Sequence, residues 1–195
     1  MKKHLNLLLF FFFNFFWSQN IEKLSSTINK DLTTFESTNT VKLIDKEELE
    51  NEKIFSYFYE LNSEYKKLIR VYTTNDKIIK KIVWFEENNF SESWAQNNLN
   101  LIDSKKFKYC ILRTEKSEPE KSKIYKKRIN KIVENFKTNK NSKFQYISLF
   151  SNNNVIIYTF LTQNNYLTII SDNEIFKKEE SPTLYKFLLE NGITK

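Results

Sequence analysis

Residues 65–87, YKKLIRVYTTNDKIIKKIVWFEE, constrain the fold more than any other stretch, because two runs rich in Ile, Val, Tyr and Phe flank the pair Asn75-Asp76. β-Branched and aromatic residues suit a pleated, half-buried surface, and Asn and Asp tolerate the backbone of a tight turn, so the stretch predicts a β-hairpin. The same grammar recurs on both sides. Strands are predicted over 54–61 (IFSYFYEL), 90–96 (FSESWAQ), 106–114 (KFKYCILRT), 143–150 (KFQYISLF), 155–162 (VIIYTFLT) and 166–171 (YLTIIS). Between them stand Asn62-Ser63, Asn88-Asn89, Asn97-Asn98, Asn152-Asn153-Asn154 and Asn164-Asn165. Gly192 is the only glycine, so Asn takes the turn positions that need positive φ. Connections this short make neighbouring strands antiparallel, a meander. VIIYTFL is apolar on both faces, as a strand covered on each side would be.

Helical periodicity occurs in three places. Ile21, Leu24, Ile28, Leu32 and Phe35 recur at spacings of three and four, one stripe of an amphipathic helix. Residues 36–40 then read as a linker, and 45–53 (DKEELENEK) as a solvated charged segment, helix or loop. Residues 117–139 place Ile124, Tyr125, Ile129, Ile132, Val133 and Phe136 on one face, after a capping box Ser117-x-x-Glu120 with Pro119 in the first turn. The C-terminal segment has Ser181 as N-cap, Pro182 at the first helical position, Leu184, Phe187 and Leu188 facing inward, and Gly192 as the stop. The expected architecture is one α+β domain over residues 20–195, mainly antiparallel sheet packed with about three helices.

Residues 1–19 resemble a secretory signal peptide: Lys2 and Lys3, then an apolar run from Leu5 to Trp17 interrupted by Asn6 and Asn14, then Ser18. The run is short for a bilayer span, so a cleaved leader is expected over a retained anchor, and the protein is expected to be secreted or periplasmic. Phe16 stands where a cleavage site after Ser18 would want a small residue, and no Cys follows the run to accept a lipid. Cys110 is the only cysteine, which excludes an intramolecular disulfide, and its position beside Leu112 on one strand face reads as a small buried hydrophobe.

Charge is a weak guide here. The chain carries +7, about +5 without Lys2 and Lys3, but it has one alanine and only three arginines, Arg70, Arg113 and Arg128. That is the residue usage of an AT-rich genome, expected to be bacterial, and the lysines read as ordinary surface charge with no nucleic-acid partner expected.

The residue inventory excludes much chemistry. His4, the sole histidine, lies in the leader, so the mature chain lacks the imidazole that Ser-His-Asp and Cys-His mechanisms and common zinc sites use. Without Gly before position 192 there is neither a P-loop nor a dinucleotide fingerprint, and no cofactor or metal is expected. Ser63-x-x-Lys66, Ser171-Asp172-Asn173 and Lys137-Thr138 imitate the three motifs of serine β-lactamases. Their context disagrees: Ser63 sits at a turn, Asn139 replaces the required Gly, and the third motif precedes the second.

Four functional readings remain. Glu86, Glu87, Glu92 and Asp103 cluster near Trp84 and Trp94, and strand alternation would set Glu86 on the face of Trp84 and Glu92 on that of Trp94, a constellation for a carboxylate-dependent hydrolase. Phe55, Tyr57 and Tyr59 share a strand face that would line the pocket of a carrier for a lipid or other apolar ligand. Trp84, Trp94, Tyr57 and Tyr59 are accordingly the candidate ligand contacts. The basic helix, with Lys121, Lys123, Lys126, Lys127, Arg128, Lys131 and Lys137, offers contact with an anionic membrane surface, although a core-facing apolar side with solvated lysines is the simpler reading. The reading preferred on sequence is a non-catalytic binding or interaction module with a protein or apolar partner.

Overall fold

The computed structural model describes residues 21–60, 66–87, 90–113, 125–138, 145–162 and 164–194. The leader, the capping box at Ser117, the turns at Asn62-Ser63 and Asn88-Asn89, and Ser63 itself lie outside the described residues. Elements follow in the order α1 (described over 21–25), α2 (Leu32–Thr38), β1 (Val41–Glu48), β2 (Lys53–Glu60), β3 (Lys66–Thr73), β4 (Ile79–Glu86) and α3 (Phe90–Ser104). Then come β5 (Lys108–Arg113), α4 (Tyr125–Thr138), β6 (Tyr146–Ser151), β7 (Val155–Leu161), β8 (Tyr166–Asp172), α5 (Asn173–Ile175, continued by a π-helical turn Phe176–Glu180) and α6 (Pro182–Glu190).

All eight strands form one antiparallel sheet in the order β1-β2-β3-β4-β8-β7-β6-β5. The chain lays down β1 to β4 as a meander and crosses through α3 to the far edge at β5. It then returns through β6 and β7 until β8 pairs with β4, with Trp84 opposite Thr168. The fold is therefore α+β with a mainly meandering antiparallel sheet, as the strand and turn pattern predicts.

The hairpin stands where expected, with its turn at Asn75-Asp76. The left-handed position falls on Lys77, at φ 62°, while Asn153 takes φ 72° between β6 and β7. Gly192 adopts φ 64° after α6, and the Ile193 N–H returns to the Leu188 carbonyl at 2.9 Å, closing the helix end. Ser181 caps the start of α6, its hydroxyl accepting from the Leu184 N–H.

Three elements depart from the sequence reading. The first helix is interrupted at 26–31, where Asn29 takes φ 65° and its N–H bonds to the Ile79 carbonyl at 2.8 Å. The apolar stripe survives the break, since Ile21, Leu24, Ile28, Leu32 and Phe35 are all buried. Residues 41–48, of which 45–48 belong to the stretch read as a solvated charged segment, form the edge strand β1, which is exposed at all but its first residue. Its ladder to β2 satisfies the backbone without burial, and its charges and the bulge between Leu43 and Asp45 suit an unpaired edge. Residues 90–96, predicted as a strand, begin α3. The buried positions 91, 93, 94, 95, 97, 98 and 101 cover a broad face of the helix, but Ser91, Ser93, Asn97 and Asn98 are four of the seven, so a count of apolar residues alone misses the period.

The two sheet faces are covered differently. On the inner face, α1 and α2 pack over Phe55, Tyr57, Ile69, Val71, Ile82 and Trp84. Beside them, Trp94 and Ala95 of α3 and Ile129 and Ile132 of α4 pack over Ile111, Tyr146, Leu161 and Tyr166. On the outer face, Phe176, Tyr185 and Leu188 cover Cys110, Leu112, Leu149 and Ile156 of the β5–β7 half. Burying each such aliphatic or aromatic side chain is worth about 1.5–3 kcal/mol, enough for a nine-residue helix to stay docked. The outer face of β1–β4 keeps Phe58, Leu68 and Phe85 at 41%, 50% and 60% exposure.

Candidate functional site

The four residues singled out as ligand contacts are all buried. Tyr57 and Tyr59 lie side by side on the inner face of β2, where α2 fills the space a ligand would occupy. The Phe35 ring sits 5.4 Å from that of Tyr57, the Tyr57 hydroxyl donates to Glu36 at 2.6 Å, and the Tyr59 hydroxyl donates to the Asn39 side-chain oxygen at 3.3 Å. Burial and the neighbouring Glu36 carboxylate hold the Tyr57 phenol well above its ordinary range. Trp94 belongs to α3 and its indole N–H donates to the Thr159 hydroxyl at 3.1 Å.

The carboxylates part company. Glu86 shares the inner face with Trp84, as strand alternation predicts, and is buried. Glu92 is exposed while Trp94 is buried, because residues two apart on a helix point to opposite sides. The placement of Glu92 on the face of Trp94 is thus corrected by the helical state of 90–104, and Glu87 and Asp103 are exposed.

What Glu86 does meet is Lys67, a residue the sequence reading passed over. The Lys67 ammonium is in hydrogen-bonded contact with Glu86 Oε1 and lies 4.9 Å from the Trp84 ring centroid. The Trp84 indole N–H donates to the same oxygen at 3.2 Å, and Glu86 Oε2 is buried without a hydrogen-bond partner. Desolvation pulls the Lys67 pKa down, opposed by the charge and hydrogen bond of Glu86. Nearby, Asn97 Nδ2 donates to the Tyr166 hydroxyl at 3.1 Å, and burial with the Glu86 charge pushes the Tyr166 phenol far up. The signal for Lys67 was its alternation with Ile69 and Val71, which places it on the buried side of β3. Among the described residues this pair lies within the core, the Lys67 side chain 9% and that of Glu86 0% exposed.

Among the described residues, the outer face of β1–β4 carries exposed large apolar side chains. Phe58 pairs with Leu68 across β2 and β3, Phe85 falls opposite Leu68 because Trp84 pairs with Ile69, and Phe85 pairs with Leu167 of β8. These side chains make one unbroken apolar row across the sheet. At the other end of the same face, a cleft of about 420 Å3 opens between Leu49, Tyr72, Ile175, Lys80 and Lys81. Asn75 Nδ2 donates to the Glu50 carbonyl at 3.2 Å and Lys53 Nζ to the Asn75 carbonyl at 3.0 Å, tying the β1–β2 and β3–β4 turns together at its rim. The row was legible as alternate apolar positions opposite Tyr57, Ile69 and Trp84. That it stays open was not.

No family model, curated protein or solved structure matches this chain. Among the described residues no helix is long and apolar enough to cross a membrane, and no group of three or more His, Cys, Asp or Glu is placed to hold a metal ion. The apolar residues of α4 that are described, Ile129, Ile132 and Val133, face the core.

Proposed function

We propose that this protein is an exported, non-catalytic interaction module whose working surface is the outer face of β1–β4. The observation that carries this reading is the row Phe58, Leu68 and Phe85, left 41–60% exposed on one half of a face whose other half is covered by α6. Exposed large hydrophobics scattered singly are ordinary on protein surfaces, but a contiguous row across three strands is the pattern of a docking site. The arrangement of Glu86 and Glu92 supports neither acid–base pairing nor a nucleophile, and the packing of Tyr57 and Tyr59 against α2 leaves the carrier reading without its pocket.

The test is site-specific photocrosslinking in the producing cell, with the probe at position 68 on the row or at position 33 on exposed α2. The expected result is a discrete crosslinked species from position 68 and none from position 33. No product at 68, or equal products from both positions, overturns the proposal. Export itself is read from the mature N-terminus: a chain that retains Met1 to Trp17 in the cytoplasmic fraction refutes it.

A further inference from the structure

We infer that the occupant of the open face is a second copy of this chain, packed sheet on sheet about a two-fold axis. The inference rests on the interaction reading above and names its partner. β1, β2, β3 and β4 are each eight residues long. At about 4.8 Å between strands and 3.3 Å per residue, their outer face spans about 500 Å2, so two copies would cover about 1,000 Å2, the lower bound of a specific interface.

The pattern on the face is self-complementary. Cross-strand register gives three rows: Lys42, Phe58, Leu68, Phe85 at one end, Glu47, Ile54, Tyr72, Lys81 at the other, and between them Asp45, Ser56, Arg70, Val83, where a two-fold axis between β2 and β3 sets Arg70 against the second copy's Ser56, one strand from its Asp45. A two-fold axis parallel to the strands and between β2 and β3 exchanges β2 with β3 and β1 with β4. Phe58 then meets the second copy's Leu68, and Ile54 meets its Tyr72. Glu47 faces the second copy's Lys81, and Lys42 faces the ring of its Phe85. Phe58 with Leu68 and Ile54 with Tyr72 are apolar pairs, Glu47 with Lys81 is an acid–base pair, and every contact occurs twice. Aligned sheets rotate by about 30°, a displacement that long side chains such as Lys81 and Glu47 span.

Sedimentation equilibrium of the purified chain over a range of concentrations provides the test. The expected mass rises from that of one mature chain toward twice that value. Glu47→Lys and Lys81→Glu singly should weaken association at least tenfold, and the double exchange Glu47→Lys/Lys81→Glu should restore it; Leu68→Glu should abolish it. Circular dichroism checks that each variant remains folded. A wild type that stays monomeric throughout, or a dimer indifferent to Leu68→Glu and not restored by the exchange, overturns the inference. A monomer that still crosslinks from position 68 to a different protein removes only the second copy and leaves the interaction module standing, whereas absence of any product at 68 removes both.

Discussion

Replacing Lys67 with Met tests the reasoning about the core most directly. The Lys67 side chain is 9% exposed and that of Glu86 0%, so their charges meet in a medium that solvates neither. Removing the ammonium leaves Glu86 with a single donor, the Trp84 indole N–H at 3.2 Å, and a second oxygen that bonds to nothing. An uncompensated buried charge of this kind costs about 3–5 kcal/mol, whereas replacing both partners with apolar groups of similar volume is often neutral. Lys67→Met and Glu86→Leu should therefore each destabilise strongly, and Lys67→Met/Glu86→Leu should recover to within about 1 kcal/mol of the parent. In urea, with a slope of about 2 kcal/mol per molar, each single variant should lower the unfolding midpoint by about 1.5–2.5 M. A single variant that loses less than about 1 kcal/mol, or a double variant whose loss equals the sum of the two, would refute the argument, since either result means the two charges are not each other's solvation.

Two further outcomes follow from the buried titratable groups. Cys110 is 3% exposed and burial pushes its thiol up to about 12, so a chromogenic disulfide should react slowly at pH 8 in the folded protein and at once in urea; rapid native reaction would place it at the surface. Tyr166 is raised in the folded state by burial, so above pH about 10 the unfolded chain releases a proton that the folded chain keeps. Stability should then fall with rising pH by about 1.4 kcal/mol per unit from this residue alone, and Tyr166→Phe should flatten that slope; an unchanged slope would show that Tyr166 titrates as freely folded as unfolded.

The legible parts of the fold were those governed by neighbours in sequence. The hairpin around Asn75-Asp76, the strands 155–161 and 166–172 and the Ser181-Pro182 start of α6 depend on side-chain alternation, turn chemistry and capping, which act over a few residues. Where local signals were ambiguous, tertiary contact decided. Residues 90–104 became a helix because Trp94, Ala95, Asn98 and Leu101 could be buried together against β7 and β8. Residues 41–48 became a strand because β2 offered a ladder, although almost nothing in them is buried.

The candidate surface divides along the same line. Alternation places Phe58, Leu68 and Phe85 on the face opposite Tyr57, Ile69 and Trp84, and the absence of histidine from residues 21–195 bounds the chemistry. Only the tertiary structure decided that β8 docks against β4, that α6 covers one half of the outer face, and that Lys67 finds Glu86. Pairings such as Trp84 with Thr168 join residues far apart in the chain, and they are selected by the burial and charge compensation of the assembled sheet, quantities that no short window of sequence contains.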